Sequence, residues 1–199
     1  MVVLAAGAVS AGRRPVVPGS SSPEAVASPP RAIGVTSDVD GTVHRLPDGG
    51  EFYLSLQVGD PVFVGDCFRI DGSGGAVLEL ADGTQVTLGA DTVLCIVGWT
   101  VHTAGPPDLR IRVRRGPVAL WVPDRPDGRV TLLAEFSEGT TRGPSLTVRI
   151  RPDCFEVWTV TTGTADVYEY VNEHWYLIQP ELPGAETTVP PSRPCDGFP

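Results

Sequence analysis

The chain has 199 residues and a formal charge of −9 at pH 7. It is long enough for one well-packed core, and its acidity opposes nucleic acid or an anionic membrane surface as a partner. All 15 basic residues are arginine, which excludes chemistry that needs a phosphate-loop lysine, a Schiff-base lysine or a Ser-Lys pair.

The N-terminus resembles an export signal. Residues 2–11 (VVLAAGAVSA) are apolar, and Val9, Ser10 and Ala11 place small residues where a signal peptidase cuts. We predict a signal peptide over residues 1–11 and a periplasmic or extracellular location. No basic residue precedes the apolar run, so an unstructured N-terminal stub is the alternative.

Composition divides the rest of the chain into three parts. Residues 12–31 are rich in Pro, Ser, Ala and Gly without a period, which indicates a flexible tether. We predict one ordered domain over residues 32–189 and a Pro-rich tail over residues 190–199. No run approaches the roughly 20 apolar residues of a transmembrane helix, so we expect no membrane span in the mature chain.

Apolar and polar residues alternate over several segments of the predicted domain, among them residues 76–80, 85–88, 109–113 and 146–150. This period is that of half-buried strands, and no segment carries an amphipathic helical pattern. We therefore predict an all-β fold, a sandwich or a coil-like β roll. Five Asp-Gly pairs predict hairpin turns: Asp40-Gly41, Asp48-Gly49, Asp71-Gly72, Asp82-Gly83 and Asp127-Gly128.

The four cysteines are Cys67, Cys95, Cys154 and Cys195, without a CxxC pair. Their spacing disfavours a zinc ribbon or a redox centre, and four cysteines allow three disulfide connectivities. We favour Cys67 with Cys95, because both lie on predicted strands of one short meander. Buried, reduced thiols are the alternative.

Residues 56–96 contain a series of short turns and predicted strands: Gly59-Asp60, Gly65-Asp66, the strand Ala76–Leu80, the turn Asp82-Gly83-Thr84, the strand Val86–Leu88, and Leu94. In this order the elements resemble the FecR domain family. The resemblance extends more loosely over residues 33–189. Each Gly-Asp pair also has a structural role of its own, as a tight turn that leads into a strand.

FecR-type proteins are exported domains of iron-uptake regulators that relay a signal from an outer-membrane receptor to a sigma factor. The resemblance implies a non-catalytic module that binds a protein or an envelope component and has a regulatory or signalling role. The sequence departs from those regulators in lacking their anti-sigma segment and transmembrane helix, so the resemblance leaves direct control of a sigma factor open. A cell-surface carbohydrate-binding or structural module is the alternative.

Motifs for catalysis and metal binding are missing from the sequence. The three histidines form no HxH or HxxxH pair, and no serine lies in a GxSxG elbow. Strand carboxylates such as Glu79, Glu135, Glu156 and Glu169 are expected on solvated faces. We therefore predict no enzyme, no metal and no cofactor.

Two surface features are candidates for binding. Arg110, Arg112 and Arg114 share one face of a predicted strand, with Arg149 and Arg151 as a possible second row. Guanidinium groups in a row can bind carboxylate, phosphate or an acidic polysaccharide. The alternative is a solvated edge strand that resists aggregation and is neutralised by cross-strand glutamates.

Aromatic side chains are the second candidate feature. Trp175 lies beside a polar turn and is the predicted exposed aromatic contact. Trp99, Trp121 and Trp158 are expected in the core, with a sugar-stacking platform as the alternative.

Overall fold

The computed structural model describes residues 30–103, 107–123, 129–141, 145–151, 154–171, 174–181 and 183–192. These ranges contain fourteen strands and no helix, which confirms the all-β prediction. Among them there is accordingly no helix that could span a membrane. The strands are β1 (Gly34–Leu46), β2 (Leu54–Ser55), β3 (Pro61–Val62), β4 (Cys67–Leu80), β5 (Gln85–Leu88), β6 (Val93–Thr100), β7 (Asp108–Trp121), β8 (Val130–Leu133), β9 (Ser137–Thr141), β10 (Ser145–Ile150), β11 (Glu156–Thr162), β12 (Ala165–Val171), β13 (His174–Glu181) and β14 (Glu186–Val189).

Three long strands, β1, β4 and β7, hold the molecule together. β4 pairs with β1 along one edge and with both β5 and β6 along the other. β7 pairs with β5 and β6 on one side and with β8 and β10 on the other. Only the β7–β8 pairing is parallel among the described strands.

The sheet divides at β7 into two branches. One runs β14-β11-β10-β7-β5-β4-β1-β3, and the other runs β13-β12-β9-β8-β7-β6-β4-β1-β2. We call them layer one and layer two. They face each other across the core, because a Cβ on Gly139 of β9 would lie 2.3 Å from the Trp158 ring of β11.

A bend in β7 lets this one strand serve both layers. Its inward residues are Leu109, Ile111 and Val113 before the bend, and Val118 and Leu120 after it. Arg114 and Arg115 both point outward at the change of parity. Gly116 follows with φ of 81°, and a Cβ there would lie 2.6 Å from the Asp91 carbonyl oxygen, so only glycine fits this close approach.

The two Gly-Asp pairs of the FecR-like segment form the same turn twice. Gly59 and Gly65 have φ of 91° and 93°. The Asp60 carboxylate accepts the Gln57 N–H at 2.9 Å, and the Asp66 carboxylate accepts the Phe63 N–H at 2.9 Å. Each turn leads into a strand, as the sequence predicted.

Two of the five Asp-Gly pairs are not hairpin turns, which corrects the prediction. Asp40-Gly41 and Asp71-Gly72 lie inside β1 and β4, where residues 71–73 stand opposite the single residue Thr42. A glycine with positive φ can bend a strand at a bulge without reversing it. Asp82-Gly83 does close the β4–β5 hairpin, whereas Asp127-Gly128 lies outside the described residues.

Cys67 and Cys95 form a disulfide, the pairing that the sequence favoured. They stand directly opposite each other on β4 and β6, with Cα atoms 4.0 Å apart. Cys154 is also disulfide-bonded, and Cys195 lies outside the described residues. The predicted signal peptide and most of the predicted tether also lie outside them.

Candidate binding surface

The three arginines of the predicted row lie on the outer face of layer two. Arg110, Arg112 and Arg114 are exposed, and they alternate along β7 with buried Leu109, Ile111 and Val113. We call these three arginines the stripe. Because the intervening side chains are fixed in the core, the strand holds the bases of the three arginines at a regular spacing.

At Arg110 and Arg112 the stripe is not an edge of the sheet, contrary to the alternative raised from the sequence, because β7 pairs there with β6 on one side and with β8 on the other. The pairing with β8 ends at Arg112, and Arg114 lies at a register shift in the pairing with β6. Arg110 stands opposite Gly98 and Thr131, and Arg112 stands opposite Cys95 and Leu133. No glutamate is the direct cross-strand neighbour of either arginine.

The ion pairs within the described residues do not include an arginine of the stripe. They join Arg45 to Asp66 at 3.8 Å, Arg69 to Asp71 at 2.8 Å, Arg115 to Asp91 at 3.9 Å and His102 to Asp108 at 3.0 Å. No carboxylate of the described chain lies within ion-pair distance of Arg110, Arg112 or Arg114.

Arg149 and Arg151 do not form a second row beside the stripe. β10 pairs with the far half of β7, where Arg149 stands opposite Pro117 in layer one. Both residues instead line a groove with Arg115 at the bend of β7. The sequence predicted which residues of each strand face outward. It did not predict that the two sets of arginines lie in different layers.

The burial of the tryptophan side chains differs in part from the prediction. Trp158 is fully buried, and Trp99 is partly buried against the core, as expected. Trp121 was expected in the core, but its side chain is 49% exposed at the outward end of β7. Its neighbour Leu120 takes the inward position, since successive strand residues face opposite sides. The Trp175 side chain is not among those described.

Glu156 was expected on a solvated face but is completely buried between the layers. Its Oε1 accepts the N–H groups of Glu135 and Phe136 at 2.8 Å, and the Ser137 hydroxyl donates to Oε2. The Trp158 Nε1–H donates to Ser137 Oγ at 2.8 Å. Burial raises the pKa of Glu156 to about 7, although these donors act in the opposite direction.

A signal for this buried carboxylate was present in the sequence. Glu156 has the same strand parity as Trp158 and Val160, both fully buried. A charged residue in register with two apolar ones is expected inward, with its polar partners supplied by another element. Here the β8–β9 turn supplies them.

The described residues contain no group of three or more His, Cys, Asp or Glu side chains that could hold a metal ion. His102 and Asp108 form an exposed pair, and no serine or cysteine nucleophile is hydrogen-bonded to that histidine among the described residues.

Comparisons with known proteins give structural likeness only. No family model matches the chain, and no curated protein matches it. A solved cell surface anchoring domain is 35% identical over 32% of this chain and 82% of its own length, with a TM-score of 0.30.

Two crystal structures of a protein assigned as an anti-sigma factor, from Parabacteroides distasonis, also match. Each is 18% identical over 62% of this chain, with TM-scores of 0.46 and 0.47. The match spans 59% of that protein's length. Membership of the FecR family remains a prediction from residues 56–96.

Proposed function

We propose that the chain is an exported, non-catalytic, FecR-like module whose arginine stripe binds an extended acidic segment of a partner protein. The observation that carries this proposal is the exposure of three arginines on one strand, which is paired on both sides at Arg110 and Arg112, without a carboxylate of the described residues within ion-pair distance. The Cys67–Cys95 disulfide supports export, because such bonds persist in oxidising compartments.

Spacing favours an extended ligand. Arginines at every second residue of a strand repeat at about 6.8 Å, the distance at which an extended peptide repeats its own side chains. A segment with glutamate at alternate positions can therefore place one carboxylate on each guanidinium, in the bidentate geometry that arginine favours. Neither chain needs to bend.

The test uses two synthetic peptides of equal composition, one with glutamate at every second residue and the other with its glutamates contiguous. Isothermal titration at low ionic strength should show tighter binding of the alternating peptide. Replacing Arg110, Arg112 and Arg114 together by Ser should abolish it. The affinity of the unchanged protein should also fall as salt is added, since exposed ion pairs are screened.

A matched triple variant separates the stripe from overall charge. Arg31, Arg69 and Arg129 lie outside the stripe, and their replacement by Ser makes the same change in net charge. This variant should bind the alternating peptide like the unchanged protein. Equal loss in both triple variants, or no loss in the stripe variant, contradicts the proposal.

Carbohydrate binding is the second candidate because Trp121 is 49% exposed at the outward end of β7. An exposed indole face can stack on a sugar ring. Binding to a glycan array that disappears on Trp121→Ala, while the stripe variant keeps it, would favour this function over the first.

A further inference from the structure

The outer face of layer two carries opposite charges on the two sides of β8. The basic side is the stripe on β7, whose three arginines are exposed. On the other side, Glu138 of β9 and Asp166 of β12 point outward, since each alternates with buried neighbours along its strand. We call these two carboxylates the acidic pair. Thr131 and Leu133 of β8 lie between the stripe and the acidic pair.

Strand pairing fixes the level of each charge along this face. Arg112 stands opposite Leu133 on β8, and Leu133 stands opposite Glu138 on β9. These three residues form one row across the strands, and two strand spacings put Arg112 about 10 Å from Glu138. The next row, which also runs from the basic to the acidic side, consists of Arg110, Thr131, Thr140 and Asp166.

The two sides do not neutralise each other within the chain. The ion pairs of the described residues include neither the stripe nor the acidic pair. Glu138 and Asp166 line a groove of about 310 Å³ with Thr140 and Tyr168, and Arg129 also lines it. The face therefore has an exposed basic row beside an acidic groove.

A second copy of the chain supplies the complementary pattern. Two copies placed face to face about a two-fold axis along β8 exchange their sides, so that β7 of each copy lies over β9 of the other. Arg112 of each copy then faces Glu138 of the other, because both belong to the row of Leu133, and the two Leu133 side chains meet on the axis. Packed sheets lie about 10 Å apart, a gap that an arginine and a glutamate side chain span together.

We propose that this face binds a second copy of the chain, through two reciprocal Arg112–Glu138 pairs around a central contact of Leu133 with its copy. Arg110 of each copy lies over the acidic groove of the other. The two copies of Arg129 do not oppose this arrangement. The Leu109 N–H donates to the Arg129 carbonyl oxygen at 3.1 Å, which puts Arg129 about 13 Å along β8 from Leu133, where twisted sheets diverge.

Dimerisation through this face would regulate the stripe. The second copy occupies Arg112, so an acidic segment of another protein can bind only when the dimer dissociates. This consequence rests on the proposed function, whereas the dimer does not. Association is measured without any peptide, so its failure and the failure of peptide binding are separate results.

Sedimentation velocity of the full chain over a concentration series, at physiological ionic strength, tests the dimer. The unchanged chain should show a monomer–dimer equilibrium. Arg112→Glu and Glu138→Arg should each weaken it about a hundredfold, since each change removes two pairs at about tenfold per pair. Arg149→Glu and Glu79→Arg are the matched controls: they make the same charge changes at exposed positions of layer one and should associate like the unchanged chain. Far-UV circular dichroism checks that all four variants keep the fold.

Mixing the two weakened variants tests the two-fold arrangement itself. In a heterodimer of Arg112→Glu with Glu138→Arg, both pairs again join opposite charges, so the mixture should associate about as tightly as the unchanged chain. A mixture that associates no better than either variant alone overturns the proposal. So does an unchanged chain that stays monomeric at about 1 mM, or equal association of the reversal variants and their controls.

Discussion

At the scale of single residues, Glu156 couples the two layers through one carboxylate. It projects from β11 and accepts two hydrogen bonds from the β8–β9 turn and one from Ser137, the first residue of β9. Its desolvation is the largest influence on its pKa, which is about 7 against an ordinary value of 4.5. The folded chain therefore binds this proton more tightly than the unfolded chain does.

This difference predicts that the protein loses stability as the pH rises. Below pH 4.5 the carboxyl is protonated in both states, and above about pH 7 it is charged in both. The free energy of unfolding should fall across that window by roughly 3 kcal/mol. Glu156→Gln keeps an acceptor for the two N–H groups and cannot ionise, so its urea-unfolding free energy should change much less over the same window.

Glu79→Gln is the control for this measurement, because Glu79 is exposed on the outer face of β4. That variant should reproduce the pH dependence of the unchanged protein. The assignment of the titration to Glu156 would be wrong if Glu156→Gln lost as much stability between pH 4.5 and about 7 as the unchanged protein does.

Gly139 is a second residue on which the contact between the layers depends. A Cβ at this position would lie 2.3 Å from Cζ3 of the buried Trp158 ring. Gly139→Ala should lower the free energy of unfolding by about 1–3 kcal/mol through overpacking. Gly98→Ala is the control, since its Cβ would lie 3.6 Å from the Arg110 side chain, an ordinary contact. Equal midpoints in urea for the two variants would contradict this account.

At the scale of elements, the disulfide joins β4 to β6 across a sequence separation of 28 residues. Closing a loop of that length restricts the unfolded chain and stabilises the fold by about 3–4 kcal/mol in the chain-entropy model. Replacing Cys67 and Cys95 together by Ser should lower the unfolding free energy by about that amount. A double variant with the same thermal midpoint as the unchanged protein would show that the disulfide does not stabilise the fold.

The double substitution is a sharper test than a reducing agent. A reductant would also open the disulfide of Cys154, and the two effects would be added. Denaturation by urea without reductant isolates the β4–β6 bond, because the second disulfide then stays closed in both proteins.

The sequence predicted an element well where residues of that element alone determine its structure. It predicted less well where contacts with a distant segment determine the structure. The alternation of apolar and polar residues identified β5, β7 and β10, because the apolar residues of each strand are those on its buried face. Asp71-Gly72 was wrongly predicted as a hairpin turn. A glycine with positive φ can either reverse a strand or bend it at a bulge, and the outcome depends on the strand that pairs with it. That strand is β1, which lies some 30 residues earlier in the chain. The burial of Glu156 likewise depends on a turn that arrives from β8 and β9.

The candidate sites follow the same division. The outward orientation of the stripe follows from the alternation of residues along β7 alone, so the sequence predicted it. The groove with Arg115, Arg149 and Arg151 was not, because it requires the bend at Gly116 and the pairing of β10 with the far half of β7. Trp121 was misplaced for a related reason: two large apolar neighbours on a strand cannot both face the core.

At the scale of the whole molecule, positive charge is concentrated although the chain is acidic. Six of the 15 arginines lie on β7, on β10 or directly after β10, in a chain of net charge −9. The general acidity repels anionic surfaces, whereas the exposed arginines of the stripe attract an anion locally. Selective binding of a short acidic segment by the stripe is thus compatible with exclusion of long polyanions.

The two layers should unfold as one cooperative unit. A single cluster of buried residues includes side chains from both branches of the sheet, and three long strands belong to both layers. Trp158 packs on Gly139 across the core, so neither branch can open without exposing it. Trp fluorescence and far-UV circular dichroism should therefore give coincident urea transitions. Two separate transitions, with the fluorescence change confined to one of them, would show instead that one layer folds without the other.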